Sequence, residues 1–120
     1  MITKIAFVGI PVTDMKHARA FYEDVIGLKP SGPAHDMWME YDIGAGTIAL
    51  GCVGDSWKPS SSGTMAALEV SDLDAEIARL KAKGITFDME KIESPVCYMA
   101  VVADPDGNKV CLHMRKAAQH

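Results

Sequence analysis

An internal repeat constrains the fold of this chain more than any other feature of its sequence. The segments 7–15 and 65–73 align at one constant offset, and the alignment places Asp14 on Asp72. In each copy a strand-like stretch is followed by a short polar residue, an Asp and a helical pattern. The chain is therefore predicted to consist of two related halves built on the same supersecondary unit.

Each half contains one predicted amphipathic helix with recognisable ends. Apolar residues recur at spacings of three and four positions in both segments, and such a stripe packs against a sheet. The predicted N-terminal caps are Asp14 or Thr13 in the first helix and Asp72 or Ser71 in the second. Gly27 and Gly84 follow the two helices and suit the left-handed conformation in which many helices end.

Extended, turn-rich sequence follows each helix. The predicted strands of both halves are 38–42, 47–50, 98–103 and 109–113, and a tight turn over 104–108 joins the last two. Each half therefore contains a βα unit followed by two or three strands, which is an α+β organisation. The polar segment 54–63 is the predicted linker between an N-terminal module, 1–53, and a C-terminal module, 64–120.

Composition and charge exclude several classes of function. The 120 residues carry a net charge of −4 with the lysines scattered singly, so a nucleic-acid partner is not expected. No apolar run is long enough to span a membrane, and the N-terminus lacks the pattern of a secretory signal. The three cysteines are odd in number and lack C-x-x-C spacing, which indicates reduced thiols and a cytoplasmic protein.

Three motifs in order along the chain carry a family resemblance. They are Ile10-Pro11-Val12-x-Asp14, Glu69-Val70-x-Asp72-Leu73 and Asp104-Pro105-Asp106-Gly107-Asn108. The ordered set resembles the vicinal oxygen chelate superfamily, which includes glyoxalases, bleomycin-resistance proteins and extradiol dioxygenases. The resemblance implies two tandem βαβββ modules whose sheets curl around a shared cleft. It also implies a homodimer, because relatives often complete their clefts across a subunit interface.

Many members of this superfamily hold a divalent metal in the cleft, with His or Glu ligands on the first and last strands of each module. The resemblance places those four positions at Phe7, Ala49, Met65 and Cys111. None of the four is a His or a carboxylate, and their neighbours along the chain are apolar too. No cofactor is therefore predicted, although a divalent metal at a non-standard site remains open.

The alternation of side chains along strands predicts which residues share the cleft with those positions. The resulting pocket is mostly apolar with a few polar groups, as small-molecule sites usually are. Among the aromatic residues, Trp38, Tyr41, Trp57 and Tyr98 could stack on a planar ligand, and the alternative for all but Trp57 is core or interface packing. Trp57 lies in the polar linker and is expected to cover either the cleft or a partner subunit. The predicted ligand-binding residues are Phe7, Trp38, Glu40, Ala49, Trp57, Met65, Glu69, Lys109, Cys111 and His113.

Two of these residues are candidates for catalysis. His113 could act as a general base, or it could be a partly exposed histidine near the chain end. Glu40 lies among aromatic residues and could be a desolvated base, or it could be a solvated strand residue. Cys111 with His113 and Lys109 suggests an activated thiolate, while the alternative is a small apolar filler.

The leading hypothesis is a metal-independent member of the family that binds a small apolar or aromatic molecule. An alternative is a lyase, isomerase or epimerase that uses acid–base residues or a relocated metal site at His113, Glu40, Glu69 or His35. A third hypothesis is an interaction or regulatory domain whose cleft is filled by its own side chains.

Overall fold

The computed structural model describes residues 1–117 of the chain. Its contacts divide the chain into two compact units. Unit 1 comprises Met1–Ser60 together with Pro105–Gly107, and unit 2 comprises Ser61–Asp104 and the chain from Asn108 onward. The predicted C-terminal module ran to residue 120, and its residues 118–120 lie outside the described part.

Unit 1 is a three-stranded mixed sheet with one helical segment. Its elements are β1 (Val8–Pro11), α1 (Met15–Arg19), a π-helical continuation (Ala20–Ile26), β2 (Trp38–Ile43), β3 (Gly46–Gly51) and a 3-10 turn (Gly54–Ser56). The strand order is β1-β3-β2, with β1 parallel and β2 antiparallel to the central β3. The chain between β1 and β3, which contains the helical segment and β2, is long enough for the crossover that a parallel pair requires.

The helical segment of unit 1 begins and ends as the sequence predicts. The carboxylate of Asp14 accepts a hydrogen bond from the backbone N–H of His17 at 3.0 Å, which caps the first turn. Gly27 ends the segment in the left-handed conformation with φ 99°. Met15, Ala18 and Tyr22 are buried along one stripe, so the segment packs its apolar face against the sheet.

Unit 1 departs from the predicted βαβββ pattern, because its described residues form two strands after the helix. The segment that would supply a third strand makes one ladder hydrogen bond, from the backbone N–H of Ser31 to the carbonyl of Glu40 at 2.9 Å. Pro30 and Pro33 flank that position and have no N–H to donate. A continuous strand therefore cannot form beside β2 here.

Unit 2 has the full βαβββ pattern. Its elements are β4 (Ala66–Glu69), α2 (Leu73–Ala82), β5 (Phe87–Glu93), β6 (Cys97–Ala103) and β7 (Lys109–Arg115), in the sheet order β4-β7-β6-β5. Asp72 caps α2 by accepting from the N–H of Ala75 at 3.1 Å, and Gly84 follows the helix with φ 82°. The predicted caps and helix ends are thus confirmed in both units, as is the α+β fold class.

Each sheet has one face covered by its own helix and one face that the helix leaves open. In unit 1 the covered face carries buried side chains from all three strands, namely Ile10, Val12, Met39, Tyr41, Ile48 and Leu50. In unit 2 the stripe of α2, Leu73, Ile77 and Leu80, is buried together with Ala100, Val102, Val110 and Leu112. No helix of residues 1–117 is long and apolar enough to cross a membrane.

Candidate functional site

The open face of the unit 1 sheet has small residues at its centre. Gly9 of β1 pairs with Ala49 of β3, and Gly51 lies two positions further along β3. These three residues point away from the helix, because the alternating residues Ile10 and Leu50 are buried beneath it. Glycine and alanine in a strand leave space for another group to approach the backbone closely.

Three aromatic side chains surround this floor. A Cβ atom built on Gly9 would lie 2.6 Å from Cη2 of Trp57, and one built on Gly51 would lie 2.6 Å from Cζ3 of the same ring. Trp38 pairs directly with Gly51, and its ring meets that of Phe7 edge to face with centroids 5.1 Å apart. We call this arrangement the aromatic face, with Phe7, Trp38 and Trp57 above the floor of Gly9, Ala49 and Gly51.

A polar group stands at the edge of the aromatic face. Glu40 lies opposite Ala49 in the β2–β3 pair, and its carboxylate accepts a hydrogen bond from the indole N–H of Trp38 at 2.8 Å. Glu40 is exposed, which favours the solvated strand residue over the desolvated base. Trp38 and Glu40 also line a groove of about 250 Å³ whose other walls are Ser31, Gly32 and Pro33.

Tyr41 does not belong to the aromatic face, so the structure favours core packing over stacking on a ligand for this residue. Its side chain is buried on the helix side, where its hydroxyl donates to the Glu23 carboxylate at 2.8 Å. Burial raises the pKa of Tyr41, and the Glu23 carboxylate raises it further. Arg19 Nε donates to the same Glu23 oxygen at 2.7 Å and lowers the pKa of Glu23. This network joins the helix to β2.

A larger groove of about 470 Å³ lies along this helical segment. It is lined by Met15, Lys16, Arg19, Ala20, Glu23, Asp24, Ala34, His35 and Asp36. Its walls carry charges of both signs, and the guanidinium of Arg19 is already paired with Glu23. None of the residues predicted to bind ligand lines it.

In unit 2 the structure brings together two of the predicted residues. Glu69 pairs with His113 across β4 and β7, and Nδ1 of His113 lies 2.5 Å from a carboxylate oxygen of Glu69. The other carboxylate oxygen accepts from the backbone N–H of Arg115 at 2.8 Å. The Arg115 N–H and, after it, the His113 ring lower the pKa of Glu69. This pair lies on the face that α2 leaves open.

The remaining predicted residues of unit 2 have other roles. Cys111 is fully buried and burial raises the pKa of its thiol, which favours the small apolar filler over the activated thiolate. Its Sγ donates to the carbonyl of Leu112 at 3.6 Å. Lys109 forms an ion pair with Asp88, and Met65 is exposed beside β4.

Tyr98 lies among charged side chains of unit 2, which favours packing over stacking on a ligand for this residue too. Its ring lies between the ammonium groups of Lys91 and Lys116, at 4.9 and 4.8 Å from the ring centroid. Lys91 also binds Asp74 of α2 at 2.8 Å, which places Tyr98 on the face that the helix covers. Both lysines therefore form cation–π contacts with the Tyr98 ring.

The four positions at which the resemblance expects metal ligands do not fit a divalent metal. Phe7 and Ala49 of unit 1 have no lone pair to donate, and Met65 and Cys111 of unit 2 provide a thioether and a buried thiol with a raised pKa. Within residues 1–117 no group of three or more His, Cys, Asp or Glu side chains is arranged to hold a metal. Of the side chains proposed for a relocated site, His35 accepts a hydrogen bond at Nδ1 from the N–H of Met37 at 3.0 Å.

The structure therefore groups the predicted residues by unit. Phe7, Trp38, Glu40, Ala49 and Trp57 share one face of unit 1, and Glu69 and His113 form a pair in unit 2. The catalytic candidates Glu40 and His113 belong to different units. Sequence reasoning did not assign Gly51 or the groove residues 31–33. A glycine within an apolar strand is a signal of close approach, and it could have identified Gly51.

Comparison with known families gives a match over most of the chain. The family model described as Glyoxalase/Bleomycin resistance protein/Dioxygenase superfamily matches residues 4–112. No curated protein matches the chain.

Solved structures with the same fold include an antibiotic-binding protein and a lyase. TnmS3, an antibiotic-binding protein from Streptomyces sp. CB03234, is 24% identical with a TM-score of 0.77, over 96% of this chain and 98% of that one. A glyoxalase/bleomycin resistance protein from the same organism is 26% identical with a TM-score of 0.73, over 91% and 98%. A lactoylglutathione lyase from Agrobacterium tumefaciens is 20% identical with a TM-score of 0.75, over 95% of both chains.

Proposed function

Because the chain belongs to the glyoxalase/bleomycin resistance protein/dioxygenase superfamily, we propose that it binds a small apolar or aromatic molecule on the aromatic face of unit 1, without the metal typical of many members. The single observation that carries the proposal is three aromatic side chains above a floor of Gly9, Ala49 and Gly51. A backbone floor without bulky side chains accepts a flat apolar ring, as the contacts of the Trp57 ring with Gly9 and Gly51 illustrate.

The chemistry of the aromatic face supports this ligand class. Phe7 is 43% exposed although its ring is apolar, so part of the face is open to a partner. Aromatic pairs contribute about 0.5–1.5 kcal/mol each beyond the burial of their area. Glu40 at the edge adds one hydrogen-bond acceptor, which favours ligands that carry an N–H or O–H donor at their rim.

Two further considerations support the proposal. Phe7 and Ala49 occupy the unit 1 positions where the family resemblance expects metal ligands, and neither can coordinate. TnmS3, which has the same fold, is an antibiotic-binding protein, so the scaffold is compatible with sequestration as a function.

A thermal-shift screen of planar aromatic fragments tests the proposal. Metal-depleted protein in chelator should be stabilised by some fragments, because a ligand that prefers the native state raises its stability by mass action. Trp38→Ala should lose that stabilisation. Val96→Ala, which truncates an exposed apolar side chain in unit 2, should keep it. Stabilisation that requires added Zn or Ni would contradict the metal-free proposal.

The Glu69–His113 pair favours a second candidate function, acid–base catalysis by a lyase, isomerase or epimerase. A carboxylate that holds one nitrogen of an imidazole orients the ring, and Nε2 can then accept a proton from a substrate. Proton–deuterium exchange into candidate ligands tests this function. Exchange that His113→Gln abolishes would support it, and ligand binding without any exchange would leave the binding function alone.

We also propose that the protein acts in the cytoplasm as a homodimer. Its three cysteines are free thiols, which suits a reducing compartment. Ile2 and Ile5 at the N-terminus are 94% and 80% exposed, and such apolar side chains are suited to a subunit interface. Light scattering coupled to size exclusion tests the oligomeric state. A mass of one chain at micromolar concentration would contradict the dimer.

A further inference from the structure

The indole of Trp57 occupies the floor of the aromatic face. Its ring lies against both Gly9 and Gly51, since ideal Cβ atoms on the two glycines would each come within 2.6 Å of it. The ring of Trp38 is also close, at 3.1 Å from the Cβ position of Gly51. A flat bicyclic ring therefore already fills the position that the proposed function assigns to a ligand.

The chain segment around Trp57 constrains the position of that ring only weakly. Trp57 follows the single 3-10 turn Gly54–Ser56, and its N–H donates to the carbonyl of Gly54 at 3.4 Å, which is a long hydrogen bond. Gly54 has φ 66°, a conformation that glycine adopts without strain. The adjacent ion pair between Lys58 and Asp55 is highly exposed, and such pairs contribute little.

We propose that Trp57 is an internal substitute for the ligand, and that the ligand is a planar aromatic molecule of about the size of an indole. This inference rests on the proposed function. The ligand displaces the Trp57 ring from Gly9 and Gly51 and takes its place beside Trp38. Only protein molecules in which Trp57 is displaced can bind the ligand. The apparent affinity is therefore the intrinsic affinity multiplied by the fraction of the protein in that state.

Free indole is the probe that tests the inference, because it is the group that Trp57 places on the floor. Trp57→Ala should bind indole about tenfold more tightly than the wild type. In the wild type one aromatic contact is enough to favour the state in which Trp57 covers the floor by about that factor. Adding Gly51→Ala to that variant should weaken binding again, because the new methyl group enters the ring position. Adding Gly46→Ala instead should change nothing, because a Cβ on Gly46 meets no atom within 4 Å.

The outcomes separate this inference from the proposed function. If the wild type binds indole and Trp57→Ala binds it equally or less tightly, Trp57 is a wall of the site, and the inference is wrong while the proposed function stands. If neither protein binds indole, the inference is wrong, and the thermal-shift screen then decides whether the proposed function stands with another ligand. Far-UV circular dichroism checks the fold of each variant, and Trp57→Phe, with a smaller ring, should give an intermediate affinity if Trp57→Ala does not fold.

A measurement on the wild type gives an independent readout. Solvent exchange of the Trp57 indole N–H, followed by NMR, should become faster as indole is added, because the displaced ring enters water. Slower exchange would mean that the ligand covers Trp57, and it would overturn the inference. Trp38→Phe leaves Trp57 as the only tryptophan of the chain and assigns the resonance.

Discussion

A methyl group at Gly51 should change the protein in a way that a methyl group at Gly46 does not. Both glycines belong to β3, and neither has a positive φ angle, so alanine fits the backbone at either position. A Cβ at Gly51 would lie 2.6 Å from Trp57 and 3.1 Å from Trp38, whereas one at Gly46 meets open space. The comparison of Gly51→Ala with Gly46→Ala therefore isolates the packing of the two rings.

The size of the difference follows from two opposing terms. Each alanine should stabilise the fold by about 0.4–1 kcal/mol, because it restricts the unfolded chain more than glycine does. At Gly51 the rings must shift, and overpacking of this kind costs about 1–3 kcal/mol. The cost should lie at the lower end, because the Trp57 ring can move out of the way. We expect Gly51→Ala to be less stable than Gly46→Ala by about 1–2 kcal/mol.

Urea denaturation with tryptophan emission as the probe measures both consequences. The midpoint should fall for Gly51→Ala relative to Gly46→Ala, with the slope of the transition unchanged. The native emission of Gly51→Ala should also shift to longer wavelength as Trp57 becomes more exposed. Equal midpoints together with unchanged native emission would refute the reasoning, because Trp57 would then not lie on Gly51.

Three other predictions concern the parts of the chain outside the aromatic face. Tyr41→Phe should destabilise the fold by about 1–2 kcal/mol in urea denaturation, because it removes a hydrogen bond from a buried hydroxyl to the charged Glu23. The pKa of Glu69 is lower in the folded state than its ordinary value of 4.5. Its carboxylate therefore stabilises the fold at pH values above 4.5, and this contribution is lost as the pH falls through the folded pKa. Glu69→Gln should therefore flatten the acid side of a plot of melting temperature against pH, and an unchanged plot would contradict this. Cys111 should resist iodoacetamide in the native protein and react once urea unfolds it, as mass spectrometry of the modified peptides would show.

Local sequence signals predicted much of the fold. The helix starts follow from Asp14 and Asp72, whose carboxylates accept hydrogen bonds from backbone N–H groups. The helix ends follow from Gly27 and Gly84, which adopt the left-handed conformation because they have no side chain. Strand alternation placed Phe7 and Gly9 toward the cleft, since successive side chains of a strand must point to opposite sides.

Other features depended on contacts that alternation and local propensity do not encode. The partners of Tyr41 and Tyr98 are examples, because the Glu23 carboxylate that contacts Tyr41 and the Lys91 ammonium that contacts Tyr98 come from other elements of each unit. Pro30 and Pro33 disfavour a continuous strand in the segment before β2. The sequence pattern does not show beside which strand that segment would have paired. The contact between Trp57 and Gly51 joins a linker to a strand, and no periodic pattern reports such a contact.

The most direct test of the central claim is to locate the bound molecule on metal-depleted protein. A ¹⁵N NMR titration with a stabilising aromatic fragment reports every backbone N–H and both tryptophan indoles at once. The account predicts shifts at Gly9, Ala49 and Gly51 and at the indoles of Trp38 and Trp57, without added metal. Saturable shifts confined to unit 2 around Glu69 and His113, or shifts that appear only when a divalent metal is supplied, would contradict it.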